Sequence, residues 1–129
     1  MERPEISLVV PVYNEEEVLP RFRETPLEVL RGLGRSFEIV FADDGSSDRS
    51  PEILEEMRRD IPEVRIVRIL KNSGLSTALY CGFHHARAEI LISIDADLQN
   101  DPRDIPKLLE KIGEFDMVCG WRKERDDPF

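Results

Sequence analysis

Four short apolar runs rich in β-branched residues leave few folds open to this chain: Ile6 to Val12, Phe37 to Ala42, Val64 to Leu70 and Ile90 to Ile94. A weaker fifth run covers Met117 to Cys119. The runs are continuous rather than alternating, which is the pattern of strands buried on both faces, and helical spacing fills the stretches between them. The expected fold is therefore α/β, a mostly parallel sheet flanked by helices on both faces. Ile105, Leu108, Leu109 and Ile112 fall at i, i+3, i+4 and i+7 and form one apolar stripe. Ile53, Leu54 and Met57 do the same on a helix for which Ser50 is the expected cap and Pro51 the first turn. Between Glu15 and Leu33, Pro20 and Pro26 each remove an interior backbone hydrogen bond, so a broken helix is expected.

The 129 residues suit one domain, residues 1–129, which buries roughly two-thirds of the surface of its unfolded chain. With 27 acidic residues against 18 basic ones the formal charge is −9. Binding to duplex nucleic acid leans on lysine and arginine, so no nucleic-acid partner is expected. A phosphate-bearing ligand needs a cation or a local basic patch. No run approaches the ~18 apolar residues of a membrane span, and Glu2, Pro4 and Glu5 do not resemble a secretory signal, so a cytoplasmic location is expected. Cys81 and Cys119 form no CxxC pair and read as buried apolar thiols.

In an open parallel sheet, ligands bind outside the carboxyl ends of the strands. The polar segments of this chain fall at those ends: Pro11-Val12-Tyr13-Asn14-Glu15, Asp43-Asp44-Gly45-Ser46-Ser47-Asp48, Asn72-Ser73-Gly74 and Asp95-Ala96-Asp97-Leu98-Gln99. Asp43, Asp44, Asp95 and Asp97 gathered in one crevice raise each other's pKa or demand a counter-charge, and a hard divalent cation, Mg²⁺ or Mn²⁺, supplies one. Asp95 and Asp97 stand at i and i+2, the same face of an extended strand, where they can share an ion, with Ala96 leaving room and Gln99 orienting a water or a phosphate oxygen. The plainer alternative is a polar turn that ends at Asp101-Pro102 and caps the next helix. The Asp43 to Asp48 segment also reads as a turn and helix start, and Asn72-Ser73-Gly74 as a turn whose glycine admits a close ligand.

Together these four ordered motifs resemble glycosyltransferase family 2, of the GT-A, Rossmann-like fold, across nearly the whole chain. The resemblance implies that Pro11, Tyr13 and Glu15 border the base and ribose of a nucleoside-diphosphate sugar, with Asp43 or Asp44 reading the base edge. It implies that Asn72, Gly74 and Ala96 line the same donor site, and that Asp95, Asp97 and Gln99 hold the metal, Asp95 and Asp97 being the catalytic pair. The closing segment from Gly120 to Pro128 is similar to that of polyprenyl-phosphate glycosyltransferases of the dolichyl-phosphate mannose synthase type, in which Arg122 and Arg125 would approach phosphate. Taken as a solvated tail, the same basic run carries no function.

The implied activity is inverting, metal-dependent transfer of a hexose to an acceptor, a polyprenyl phosphate, in cell-envelope biosynthesis. Leu75 stands where relatives often carry a polar or basic residue. Phe129 precedes the segments that bind acceptor and meet the membrane in the family, so the expectation is a truncated GT-A domain that binds donor without transferring sugar. Membrane contact is then expected only through the missing part, with the parent protein at the cytoplasmic face. A homo-oligomer is left open.

Two rivals fit less well. A phosphoacceptor receiver domain wants its acidic pair after the first strand, and a sugar nucleotidyltransferase wants a glycine-rich basic loop there. Here the first strand ends in Pro11-Val12-Tyr13-Asn14 with no glycine-rich basic loop, and the fifth ends in Gly120-Trp121-Arg122 where a receiver wants a lysine. Gly32-Leu33-Gly34 lacks the third glycine of a dinucleotide fingerprint. His84 and His85 are adjacent in a helical stretch and face different directions. Trp121 reads as packing at a strand's end.

Overall fold

The structure is a computed structural model and describes residues 3–96 and 102–110. Four strands form one parallel sheet: β1 (Ile6–Val12), β2 (Phe37–Asp44), β3 (Val64–Ile69) and β4 (Ile90–Ser93), in the order β3-β2-β1-β4. Four α-helices connect or follow them: α1 (Thr25–Gly32), α2 (Ser50–Asp60), α3 (Leu75–His85) and α4 (Ile105–Glu110). The broken helix expected after β1 is a 3-10 turn over Leu19–Arg23 followed by α1, with Pro20 and Pro26 each in an opening turn. The fifth run, Met117 to Cys119, lies outside the described residues, as does Ile112 of the last helical stripe.

Strand order dictates which face each helix covers. The steps from β1 to β2 and from β2 to β3 run one way across the sheet, and the step from β3 to β4 runs back over two strands. Parallel crossovers are right-handed, so reversing the direction moves the connecting helix to the opposite face. Ile6, Leu8 and Val10 of β1 accordingly share a core with Leu30 of α1, Leu54 and Met57 of α2 and Ile105 of α4. Phe22 closes that core edge-on against Phe41, with ring centroids 5.3 Å apart. On the other face α3 crosses β1 and β2, and Gly82 sits so close to the sheet that a Cβ there would lie 2.5 Å from Val9 Cγ1. Burial on both faces accounts for the apolar run of β1, which only Ser7 interrupts.

One buried acid sits in this apolar frame. Glu38 of β2 is 1% exposed, on the α3 face. It accepts hydrogen bonds from Ser7 Oγ, from Arg87 N (2.7 Å), from Arg87 Nε (3.0 Å) and from Arg65 Nη1 (2.9 Å). The same Arg65 nitrogen donates to His85 O at the end of α3 (2.9 Å). A carboxylate close to a helix C-terminus is electrostatically unfavourable. The two arginines supply the compensating charge, so Glu38 ties the end of α3 to β1, β2 and β3. Burial by itself would raise the Glu38 carboxyl, but the bonds from Ser7, the Arg87 backbone, Arg65 and Arg87 outweigh it and hold the group below its ordinary value of 4.5.

At the opposite end of β2, Gly45 adopts φ +72° where the chain passes under the loop after β3. A Cβ there would stand 2.6 Å from Asn72 N and 2.9 Å from Lys71 C, both backbone atoms.

Two stability measurements follow from these contacts. Removing a buried partner from an ion cluster strands the rest, so Glu38→Ala is expected to lose about 3 kcal/mol in urea unfolding at pH 7. Because the folded-state pKa is depressed, the Glu38 contribution is complete above the unfolded value and disappears as pH falls through the folded one. Glu38→Gln should therefore show a flatter acid limb of stability than the parent chain. Gly45→Ala combines a left-handed backbone with a backbone clash and should cost at least about 2 kcal/mol, read as a lower thermal midpoint.

Candidate functional site

The winding reverses at β1, where α1 leaves β1 on one face of the sheet and α3 arrives at β4 on the other, and a crevice lies at the carboxyl ends between them. A cavity of about 330 Å³ opens at this point, within the range usual for small-ligand sites. Pro11, Val12, Tyr13 and Glu15 line it from β1, Asp44 from β2, and Asp95 and Ala96 from the end of β4. Asn72, Gly74, Leu75 and Ala78 close it from the loop after β3 and the first turn of α3. Eight residues expected at a donor site thus meet in one place: Pro11, Tyr13, Glu15, Asp44, Asn72, Gly74, Asp95 and Ala96. Asp97, Gln99, Arg122 and Arg125 lie outside the described residues.

The two aspartates that end β2 have different surroundings. Both continue the strand, Asp43 paired with Val12 and Arg68, Asp44 with Ile69, so the strand is longer than its apolar run. Asp44 faces the α3 side and accepts from Ser73 N (2.8 Å), Gly74 N (2.8 Å) and Asn72 Nδ2 (3.0 Å). A carboxylate at the N-terminus of α3 complements the helix dipole and needs no cation. Asp44 therefore shapes the cavity wall by latching the Asn72-Ser73-Gly74 loop, while Gly74, at φ +102°, turns the chain into α3. Asp43 is not among the cavity walls. Its Oδ1 accepts from Ser46 N (3.1 Å), and Arg68 Nε lies 4.0 Å from Oδ2. That Oδ2 is buried without a hydrogen-bond partner.

The loop after β1 is held by the loop after β2. Asn14 N donates to Ser46 Oγ (2.9 Å), Glu15 N to Ser50 Oγ (2.8 Å) and Glu16 N to Asp48 Oδ2 (3.2 Å). Ser50 is thus not the cap of α2. Its hydroxyl reaches the neighbouring loop, and Asp48 Oδ1 takes the Ser50 N–H instead (2.8 Å). Burial would raise the Asp48 carboxyl, but hydrogen bonds from Ser50 and Glu16 outweigh it and hold it below its ordinary value.

Leu75 and Ala78 joined the cavity without being expected there. The signal was available, since they lie one and four residues beyond Gly74 on one face of the helix it opens. His84 and His85 stand at the far end of α3, where His84 stacks on Tyr80 and His85 Nδ1 lies 2.9 Å from Cys81 O, away from the cavity. Cys81 is half-buried, less sheltered than expected, and Cys119 lies outside the described residues. Among the described residues no group of three or more His, Cys, Asp or Glu could hold a metal ion. Asp95 is the part of the expected metal set that is described, and it stands at the cavity. None of the described helices is long and apolar enough to cross a membrane.

The chain is 45% identical over 125 residues to an undecaprenyl-phosphate 4-deoxy-4-formamido-L-arabinose transferase of Pectobacterium carotovorum subsp. carotovorum, covering 95% of this chain and 38% of that protein. It is 44% identical over 124 residues to the transferase of the same name from Pseudomonas paraeruginosa, covering 95% and 37%. The chain therefore spans less than two-fifths of the length of these relatives. Among solved structures, the mannosyltransferase PcManGT from Pyrobaculum calidifontis, in complex with GDP-Man and Mn²⁺, superposes with a TM-score of 0.62 at 28% identity, over 80% of this chain and 30% of that one. S. aureus TarS 1-349 in complex with UDP-GlcNAc gives 0.61 at 26% identity, over 72% and 26%. The profile described as glycosyl transferase family 2 matches residues 7–129, all but the first six, and the chain belongs to that family.

Proposed function

We propose that this chain is the donor-binding part of a metal-dependent, inverting glycosyltransferase that moves a sugar from a nucleoside diphosphate to a polyprenyl phosphate. The observation that carries this reading is the cavity at the winding reversal, where Asp95 faces the loops from β1, β2 and β3 across one small space. Pro11, Tyr13 and Glu15 border the base and ribose, and of the two aspartates that end β2 it is Asp44, the one at the cavity, that stands at the base edge. Asp95, together with Asp97 and Gln99, would hold the Mg²⁺ or Mn²⁺ that accompanies the diphosphate. The family resemblance assigns Arg122 and Arg125 to phosphate.

Support comes from two sides. Carboxylate oxygens suit a hard cation, and the similar PcManGT structure contains a nucleotide sugar with Mn²⁺. The acceptor class follows from the undecaprenyl phosphate in the names of the similar transferases. Their sugar is an arabinose derivative with five ring-chain carbons, whereas mannose has six, so a donor screen has to choose between a pentosyl and the hexosyl group expected from sequence.

The chemistry is a single displacement. An acceptor phosphate oxygen, already ionised, forms a bond to the anomeric carbon as the bond from that carbon to the nucleoside diphosphate breaks, and the departing diphosphate keeps the electron pair. No strong base is required. A cation held there would stabilise the charge that develops on the departing diphosphate. The chain's own residues hold the donor, and Asp44 and Gly74 keep the cavity wall in place beside it.

Calorimetric titration with UDP- and GDP-sugars, with Mn²⁺ and then with excess chelator, tests the reading. Chelation should weaken binding at least roughly tenfold, the equivalent of about 1.4 kcal/mol. Asp95→Asn should reproduce that loss in the presence of Mn²⁺, because it removes an anionic oxygen ligand from the cation. Equal affinity with and without chelator would overturn the metal assignment.

A further inference from the structure

We infer that Asn14, which lines no part of the cavity, is the positioning residue that sets Tyr13 and Glu15 against the nucleotide. The inference rests on the donor-binding reading above. Asn14 has φ +51°, the only non-glycine in the described residues with positive φ. That conformation is tolerated by asparagine because a short polar side chain can bond locally. Here the side chain reaches the neighbouring loop. Asn14 Oδ1 accepts from Ser47 N (2.8 Å) and from Asp48 N (3.3 Å), across more than thirty residues of sequence.

The exchange between the two loops is reciprocal but lopsided. Three successive backbone N–H groups, of Asn14, Glu15 and Glu16, donate outward to side chains of the loop after β2 and of Ser50, the first residue of α2. Asn14 Oδ1 supplies the return acceptor, and it does so for two backbone donors at once, with Ser47 Oγ a third donor at 3.5 Å. The residues on either side of it, Tyr13 and Glu15, both line the cavity, and Tyr13 is 46% exposed, with little packing of its own to fix it. The backbone turn at Asn14 therefore decides where both cavity side chains point. A loop fixed before the ligand arrives spares the ordering cost on binding.

Two substitutions separate the side chain from the backbone turn. Asn14→Gly keeps the left-handed turn and removes the acceptor, while Asn14→Asp keeps both the turn tolerance and the acceptor oxygens. Hydrogen exchange of the ligand-free chain and calorimetric titration with UDP and GDP in Mn²⁺ would be measured on parent and both variants, well below their thermal midpoints. In Asn14→Gly the amides of Tyr13 to Glu16 should exchange faster and nucleotide affinity should fall roughly tenfold, with Asn14→Asp restoring both towards the parent. Affinity within twofold of the parent in Asn14→Gly, or an Asn14→Asp variant as weak as Asn14→Gly, would overturn the inference. If the parent chain binds no nucleotide, the donor-binding reading fails. Exchange then decides the clamp alone, and unchanged amides in Asn14→Gly would overturn it.

Discussion

The ligand-facing edge of this protein depends on the chain reversing its direction across the sheet after β3. A parallel sheet covered on both faces forces every strand to end at the same edge, and the right-handed crossover rule then puts α3 on the face opposite α1 and α2. The crevice between β1 and β4 is what remains where the two sets of connections diverge. Backbone topology places the cavity, and side chains furnish it. This explains how an acidic chain has a small, defined polar site at the end of a sheet whose central strand is mainly apolar.

β2 brackets α3 with two carboxylates on one face. Glu38 and Asp44 are six residues apart, roughly 20 Å along a strand, and α3 with its flanking turns covers a similar length. The two ends ask for different chemistry. Asp44 meets backbone N–H groups at the helix N-terminus, where a negative charge is welcome, and Glu38 meets the C-terminus, where Arg65 and Arg87 have to offset it. Val40 and Ala42, between the acids, are buried under the helix, so the polar pins enclose an apolar contact.

Much of this was legible in the sequence where a local rule sufficed. The strand at Ile6–Val12 has the bounds of its apolar run, and Pro20 and Pro26 mark the break in the helix after it. Eight cavity residues were legible because polar residues at strand ends have a known geometric meaning. What escaped was mostly long-range hydrogen bonding. Nothing in Phe37-Glu38-Ile39-Val40 says that the glutamate is to be buried, since its partners stand 27 and 49 residues further on. Ser50 precedes Pro51 as a cap would, yet its hydroxyl is spent on Glu15 N, 35 residues away. Asp43 and Asp44 look alike in sequence, and only the alternation of the strand sends one to the latch and the other towards Arg68. The expected metal set is divided likewise, with Asp95 at the cavity and Asp97 and Gln99 outside the described residues.

The seat of Gly82 on Val9 makes α3 a rod of fixed length and fixed height. Its ends are fastened to β2, and its middle rests on the sheet with no space for a methyl group. One residue inserted between Gly74 and Arg87 would turn the far end by about 100° and lengthen it by about 1.5 Å, carrying Arg87 away from Glu38 while Asp44 kept its hold on the near end. Change in this helix is therefore confined to residue identity on its outer side. Variation in chain length has to be absorbed in other connections of the fold.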